Sequence, residues 1–273
     1  MITSGHFDLG DGSIYYETAG SGEPLLFSHA AFLDSRMFDA QWETFAQHYH
    51  VIRYDMRGYG KSSAVSAPVT RREEARLLLE HLGITRAHLV GCSMGGELLL
   101  DLALEHPSLA ASLTLVNSTP SGWEMQGAPP RYIMDMMGAM QQGDAEGASE
   151  LQIRIWFDGE FREPDQMDRA LREKALVMNR IPVAGNTFFI ADMQPMKPLD
   201  PPALTRLGEV SCPALIVAGS LDNSELVRAA EVMAQGISHA HKVIIEGAAH
   251  VPSYEKPAAF NQHLLKFLQA QPM

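Results

Sequence analysis

The chain has 273 residues, 46% of them hydrophobic and 20% charged, with a formal net charge of −12. This is an ordinary globular composition, long enough for one α/β domain carrying an insertion. The acidic balance opposes binding to nucleic acid or anionic lipid, which both need clustered Lys and Arg, and no window approaches the ~18 consecutive apolar residues of a membrane span.

The opening residues, Met1 to Asp8, carry neither a basic region nor an apolar core, so no signal peptide is expected. Phe7-Asp8-Leu9 and Ile14 to Thr18 read as strands around a hairpin turn at Gly10-Asp11-Gly12. Leu25 to Ser28 is a short buried strand, Met37 to His48 has helical spacing, and Val51 to Tyr54 is a strand ending at Asp55. Ala75 to Leu82 reads as a helix closing at Gly83, Ala87 to Val90 as a strand, Gly96 to Glu105 as a helix stopping at His106-Pro107, and Leu113 to Asn117 as a strand. Between about Thr119 and Gly208 no strand pattern is found, only helical runs such as Tyr132 to Met140 and Met167 to Met178. The rhythm then resumes with a strand at Pro213 to Gly219, a helix at Glu225 to Ala234, a strand at Lys242 to Glu246 and a helix at Phe260 to Leu268. Alternating strands and helices predict an α/β fold with a mostly parallel sheet flanked by helices. The interruption predicts a helical cap, 119–208, over the carboxyl edge of a core formed by 1–118 and 209–273. The two cysteines, Cys92 and Cys212, fall beside buried strands, which fits reduced thiols in the cytoplasm.

The stretch Gly91-Cys92-Ser93-Met94-Gly95 has the form G-x-S-x-G between a strand and a helix. In that context it reads as a nucleophile elbow, which lifts one serine hydroxyl above the sheet. A serine in a glycine turn is ordinarily only a turn residue, so the flanking strand and helix carry the reading. A free hydroxyl is a poor nucleophile and needs a base within hydrogen-bond reach.

Four features together resemble the α/β-hydrolase fold family over nearly the whole chain. They are the elbow; Asp55-Met56-Arg57-Gly58-Tyr59-Gly60-Lys61-Ser62; Gly219-Ser220-Leu221-Asp222 after a strand; and Gly247-Ala248-Ala249-His250 after the last strand. The resemblance implies an eight-stranded sheet with the cap inserted after the sixth strand. It also implies a triad in the order Ser93, Asp222, His250, with Ser93 as nucleophile, His250 as base and Asp222 orienting the imidazole. Asp222 could instead cap a helix, with Glu225 three residues later, and Glu225 is the nearest alternative acid. Asn117 and Ser118 occupy another position some members use for the acid, and neither is a carboxylate. The resemblance places oxyanion donors at the backbone N–H groups of Met94 and Ala31, although His29-Ala30-Ala31-Phe32 stands where the family usually has His-Gly. His29 reads as a structural histidine, Cys92 as a small buried hydrophobe and Arg57 as a loop brace. A serine rather than an aspartate at the elbow argues against haloalkane dehalogenase and epoxide hydrolase chemistry.

Nine of the fifteen methionines lie between Thr119 and Gly208, along with Trp156 and Phe189. Such side chains pack cap helices, and they also line adaptable apolar pockets. Phe32, Met125, Met134, Met137, Trp156 and Phe189 are the expected pocket residues. The leading expectation is a serine hydrolase, with no metal and no cofactor, cleaving a small-molecule carboxylic ester or lactone. A bulky, apolar or macrocyclic ester fits the cap, and enol-lactonases and broad carboxylesterases are the nearest analogies. Carbon–carbon hydrolysis and perhydrolysis use the same triad, and a ligand-binding member without turnover is the rival outside catalysis. A homodimer is the one assembly to be tested, with no nucleic-acid or membrane partner.

Overall fold

A computed structural model describes residues 2–193 and 195–271. The hairpin is formed by β1 (Thr3–Asp8) and β2 (Ser13–Ala19), followed by β3 (Pro24–Ser28). A 3₁₀ turn at Ser35–Phe38 leads into α1 (Asp39–Ala46), and then come β4 (His50–Tyr54) and α2 (Arg71–His81). Next are β5 (Ala87–Cys92), α3 (Met94–Glu105) and β6 (Ala110–Val116). The cap helices are α4 (Ile133–Gln141), α5 (Ala145–Ile153) and α6 (Arg169–Ala184), with π-helical turns at Arg154–Asp158 and Phe188–Asp192. The core closes with β7 (Ala214–Gly219), α7 (Ser224–Gly236), β8 (Ala240–Ile245), the short α8 (Pro252–Glu255) and α9 (Pro257–Gln269).

The eight strands form one sheet in the order β1-β2-β4-β3-β5-β6-β7-β8. Only the pairings made by β2 are antiparallel; the other five are parallel. From β3 the chain builds outward through β4 on one side, then crosses to β5 and continues through β8 on the other. The β3/β5 boundary is therefore the topological switch point, where open α/β sheets bind ligands at their carboxyl edge.

Both faces of the sheet are covered, and alternate residues serve each. Leu26, Ile52, Leu89 and Ile216 pack with α2, α3 and α7 on one face. Leu25, Phe27, Val51, Val90 and Val217 pack with α1 and α9 on the other. A one-residue register slip would exchange the two sets, so the pattern fixes strand pairing.

Between β6 and β7 the described residues contain no strand. The helices α4, α5 and α6 pack on one another, and Ile153, Phe157, Ala175 and Met178 join the apolar cluster around Phe32. The expected helix at Met167 to Met178 starts two residues later, where the Asp168 side chain accepts from Leu171 N, and runs on through a buried Pro182. Polar ties join cap to core as well. Asn179 donates through Nδ2 to the carbonyl of Phe32 at 3.0 Å. Asp192 accepts from Tyr59 Oη at 2.7 Å and pairs with Arg71 at 2.8 Å, both side chains being almost wholly buried. Removing one member of a buried pair leaves the other charge uncompensated. Asp192→Asn is expected to cost about 3 kcal/mol, read as a lower urea midpoint with an unchanged slope. A loss under about 1 kcal/mol would mean that apolar packing alone holds this part of the cap.

Candidate active site

The elbow forms where β5 runs directly into α3. Ser93 lies between them with φ 54° and ψ −124°, a conformation L-residues rarely hold. Its N–H donates to Val116 O at 2.8 Å, and its carbonyl accepts from Gly96 N and Glu97 N. The neighbouring glycines make room for the turn. A Cβ on Gly91 would strike the Gly95 backbone, and one on Gly95 the carbonyl of Ser28.

The C-terminal ends of three strands bring Ser93, Asp222 and His250 together. Ser93 follows β5, Asp222 follows β7 and His250 follows β8. His250 Nε2 lies 2.9 Å from Ser93 Oγ, and its Nδ1 lies 2.9 Å from Asp222 Oδ2. Asp222 Oδ1 accepts from Asn223 N at 2.8 Å. His250 and Asp222 are 3% and 5% exposed, so water scarcely competes for these bonds. With the Asp222 carboxylate as acceptor, Nδ1 carries the proton and Nε2 is free to accept from the serine.

The alternatives for Asp222 and Glu225 separate cleanly. Asn223, not Asp222, caps α7, its side chain accepting from Glu225 N. Glu225 pairs with Arg228 and accepts from the backbone of Gln126 and Gly127, anchoring the start of the cap.

Two further residues hold the histidine loop, Asn117 across a long separation in sequence and Glu255 from just beyond the loop itself. Asn117 takes a positive φ, which Asn tolerates better than most residues. Its Nδ2 donates to Ala249 O at 2.7 Å and its Oδ1 accepts from Gly219 N at 3.0 Å. The single side chain thus ties the end of β6 to the end of β7 and to the residue before His250. Glu255 accepts from Ala249 N and Val251 N and pairs with Arg162 at 2.7 Å. Burial pushes the Glu255 carboxyl up, against the pull of Arg162. Above the imidazole, the Trp156 ring lies 4.9 Å away, centroid to centroid.

Met94 opens α3, so its N–H has no acceptor within the helix and lies at the positive end of the helix dipole. Met94 and Ala31 both border the cavity beside Ser93. Neither Ala30 nor Ala31 takes a positive φ, so the turn needs no glycine there. His29 is fully buried, with Nδ1 bonded to Ala30 O and Nε2 accepting from Met56 N. Burial lowers its pKa, so it stays neutral and serves as a loop brace. Arg57 likewise braces, bonding Glu74 and Asp11. Cys92 is buried, and burial pushes its thiol far above the usual range.

The cavity has a volume of about 500 Å³ and is bordered by Ser93, His250 and mostly apolar side chains. Phe32, Met137 and Trp156 line it, whereas Met125, Met134 and Phe189 do not. Met134 is 71% exposed, because α4 turns Ile133, Met136 and Met137 inward and the two intervening residues, Met134 and Asp135, outward. Met125 is also exposed, and on the second π-helical turn Phe188 faces the cavity in place of Phe189. Gln152, Thr119, Glu97 and Asp192 add polar lining that composition gave no reason to single out. Among the described residues no group of three or more His, Cys, Asp or Glu side chains is placed to hold a metal ion.

The α/β hydrolase fold family matches residues 23–257. The (E)-2-((N-methylformamido)methylene)succinate hydrolase of Acinetobacter baylyi is 24% identical over 94% of this chain and 95% of its own. The 3-oxoadipate enol-lactonase 1 of Acinetobacter baylyi is 26% identical over 90% and 88%. A crystal structure of a hydrolase from Pseudomonas aeruginosa is 28% identical and superposes with a TM-score of 0.79 over 97% and 98% of the two chains. The protein belongs to the α/β hydrolase fold family. It is accordingly an enzyme, a hydrolase.

Asn117→Ala strands one buried donor and one buried acceptor and forfeits a side chain suited to positive φ. It is expected to cost about 2–3 kcal/mol of stability and to lower kcat more than it raises KM. Unchanged kcat in a folded variant would show that Glu255 alone holds the His250 loop.

Proposed function

We propose that the protein is a cofactor-independent serine hydrolase of carboxylic esters or lactones. The carrying observation is the continuous hydrogen-bonded line Ser93–His250–Asp222 at the edge of a large apolar cavity. Ser93 Oγ attacks the carbonyl carbon while its proton passes to His250 Nε2, and the carbonyl oxygen becomes an oxyanion. The backbone N–H groups of Met94 and Ala31 are the donors we assign to that oxygen. As the C–O bond breaks, the proton on Nε2 goes to the departing alkoxide, leaving an acyl group on Ser93. Water then attacks the acyl carbon and gives its proton to Nε2. Collapse releases the acid and returns the proton to Ser93 Oγ. In a lactone the leaving alcohol stays tethered to the acyl chain, and the same steps open the ring. The similarity to an enol-lactonase supports this reading, and the apolar lining suits a long or bulky acyl or alcohol part.

The test is hydrolysis of 4-nitrophenyl esters from acetate to decanoate by the wild type and by Ser93→Ala. Turnover by the wild type is expected to rise with chain length. Ser93→Ala is expected to lose roughly 10⁴–10⁶ in kcat and all labelling by a fluorophosphonate. Turnover or labelling that survives in Ser93→Ala removes Ser93 as nucleophile. Cleavage confined to carbon–carbon bonds would transfer the triad to that chemistry.

A further inference from the structure

The Ser93 cavity is mostly apolar, but its polar lining is lopsided in charge. Glu97 and Asp192 border it, and among the described residues no Lys or Arg does. Asp192 is committed to Arg71 and Tyr59. Glu97 is half-buried one helical turn beyond Ser93, and among the described residues its carboxylate accepts one long hydrogen bond, from Thr119 Oγ1 at 3.3 Å. A second cavity of about 440 Å³ shares Met94, Glu97, Asp192 and Met193 with the first, so Glu97 stands at their junction. That second cavity is reached by Arg71 and Arg72, and both are occupied. Arg71 is held by Asp192 and by the carbonyl of Arg57, and Arg72 by Glu105 and the carbonyl of Lys197. A substrate carboxylate entering from Ser93 would meet Glu97, and among the described residues lining either cavity it finds no uncommitted Lys or Arg to pair with.

We propose that Glu97 is a specificity-determining residue that makes the Ser93 cavity accept uncharged acyl chains and reject chains ending in a carboxylate. The inference rests on the ester-hydrolase reading above. Rejection of this kind is achieved by a like charge in a partly desolvated site as much as by any favourable contact. Glu97 is itself poised to titrate, since burial and then the charge of Asp101 push its carboxyl up to about 7. The ionisable groups facing it are Asp101 on the same helix, Asp192 on the second π-helical turn, His250 beside Ser93, and Arg71 and Arg72 across the second cavity. Asp101 is pushed up to about 6, mainly by burial, and receives the Ser121 hydroxyl.

The sign follows directly. Above pH 7 Glu97 is charged and repels a substrate carboxylate, and below it the neutral acid repels much less. Burial of the substrate carboxylate in an apolar cavity would also disfavour it, but would give no titration near pH 7.

The experiment compares two esters of equal length, 4-nitrophenyl hexanoate and the mono-4-nitrophenyl ester of adipic acid, between pH 5.5 and 8.5. The readout is the ratio of their kcat/KM values, which cancels the titration of the catalytic base and any loss common to both. In the wild type the ratio is expected to favour hexanoate by roughly 100-fold at pH 8.5 and to fall about 10-fold as pH drops below 7. In Glu97→Gln the ratio at pH 8.5 is expected to fall about 10-fold and to lose its pH dependence. Asp101→Asn removes a like charge facing Glu97, so it is expected to move the midpoint to lower pH. A ratio near one, or one that is flat with pH in the wild type, overturns the inference even if no variant folds. A ratio unaltered by Glu97→Gln overturns it as well. Absence of Ser93-dependent turnover on both esters overturns instead the ester-hydrolase reading on which it rests.

Discussion

A turn as tight as the one at Ser93 can exist only where its neighbours lack side chains. The serine's unusual backbone angles carry a cost of order ~1–3 kcal/mol, which the surrounding sheet must absorb. It does so by having Ser93 N bonded to β6, by seating Gly91 against Gly95, and by pressing Gly95 onto the carbonyls that follow β3. The hydroxyl then emerges at the switch point of the sheet, and α3 begins at the next residue with an unused N–H. One strained turn thus sets the position of the Ser93 hydroxyl, the direction of the helix dipole and the floor of the cavity.

The other half of the site depends on carriers that arrive late in the chain. His250 is placed by a loop whose shape is dictated by Asn117 on one side and Glu255 on the other, through bonds to the same residue, Ala249. Asn117 stands where a catalytic acid could have been, and instead joins β6 to β7 and to that loop. Charge and packing divide the labour. Uncharged Asn117 satisfies backbone groups at the centre of the sheet, while Glu255 balances Arg162 and helps fasten the first π-helical turn, whose Trp156 lies on the imidazole.

Much of this was legible in sequence, for local reasons. Strands with apolar runs, helices ended by Gly or Pro, and the glycine-flanked serine all leave signals within a few residues of themselves. The eight-stranded sheet, and the meeting of Ser93, Asp222 and His250 at one edge of it, follow from such signals joined to a family resemblance. Legibility ended where long-range geometry decides. Composition could say that the insertion is rich in methionine, but not that Met137 faces inward while Met134 faces solvent. That choice depends on how α4 is rotated against the core. The same holds for Phe188 over Phe189, adjacent residues on a π-helical turn. Nothing in the sequence singles out Glu97 in the first turn of α3, and the two cavities that meet at it give its charge a setting.

The histidine is delivered by β8, an edge strand that pairs only with β7 and is largely exposed along its length. Edge elements of this kind open at lower free energy than the centre of a sheet. Ser93 and His250 therefore sit on parts of the molecule with unequal resistance to opening. During heating or denaturant titration, fraying at β8 would part His250 from the Ser93 hydroxyl while the central strands remain paired.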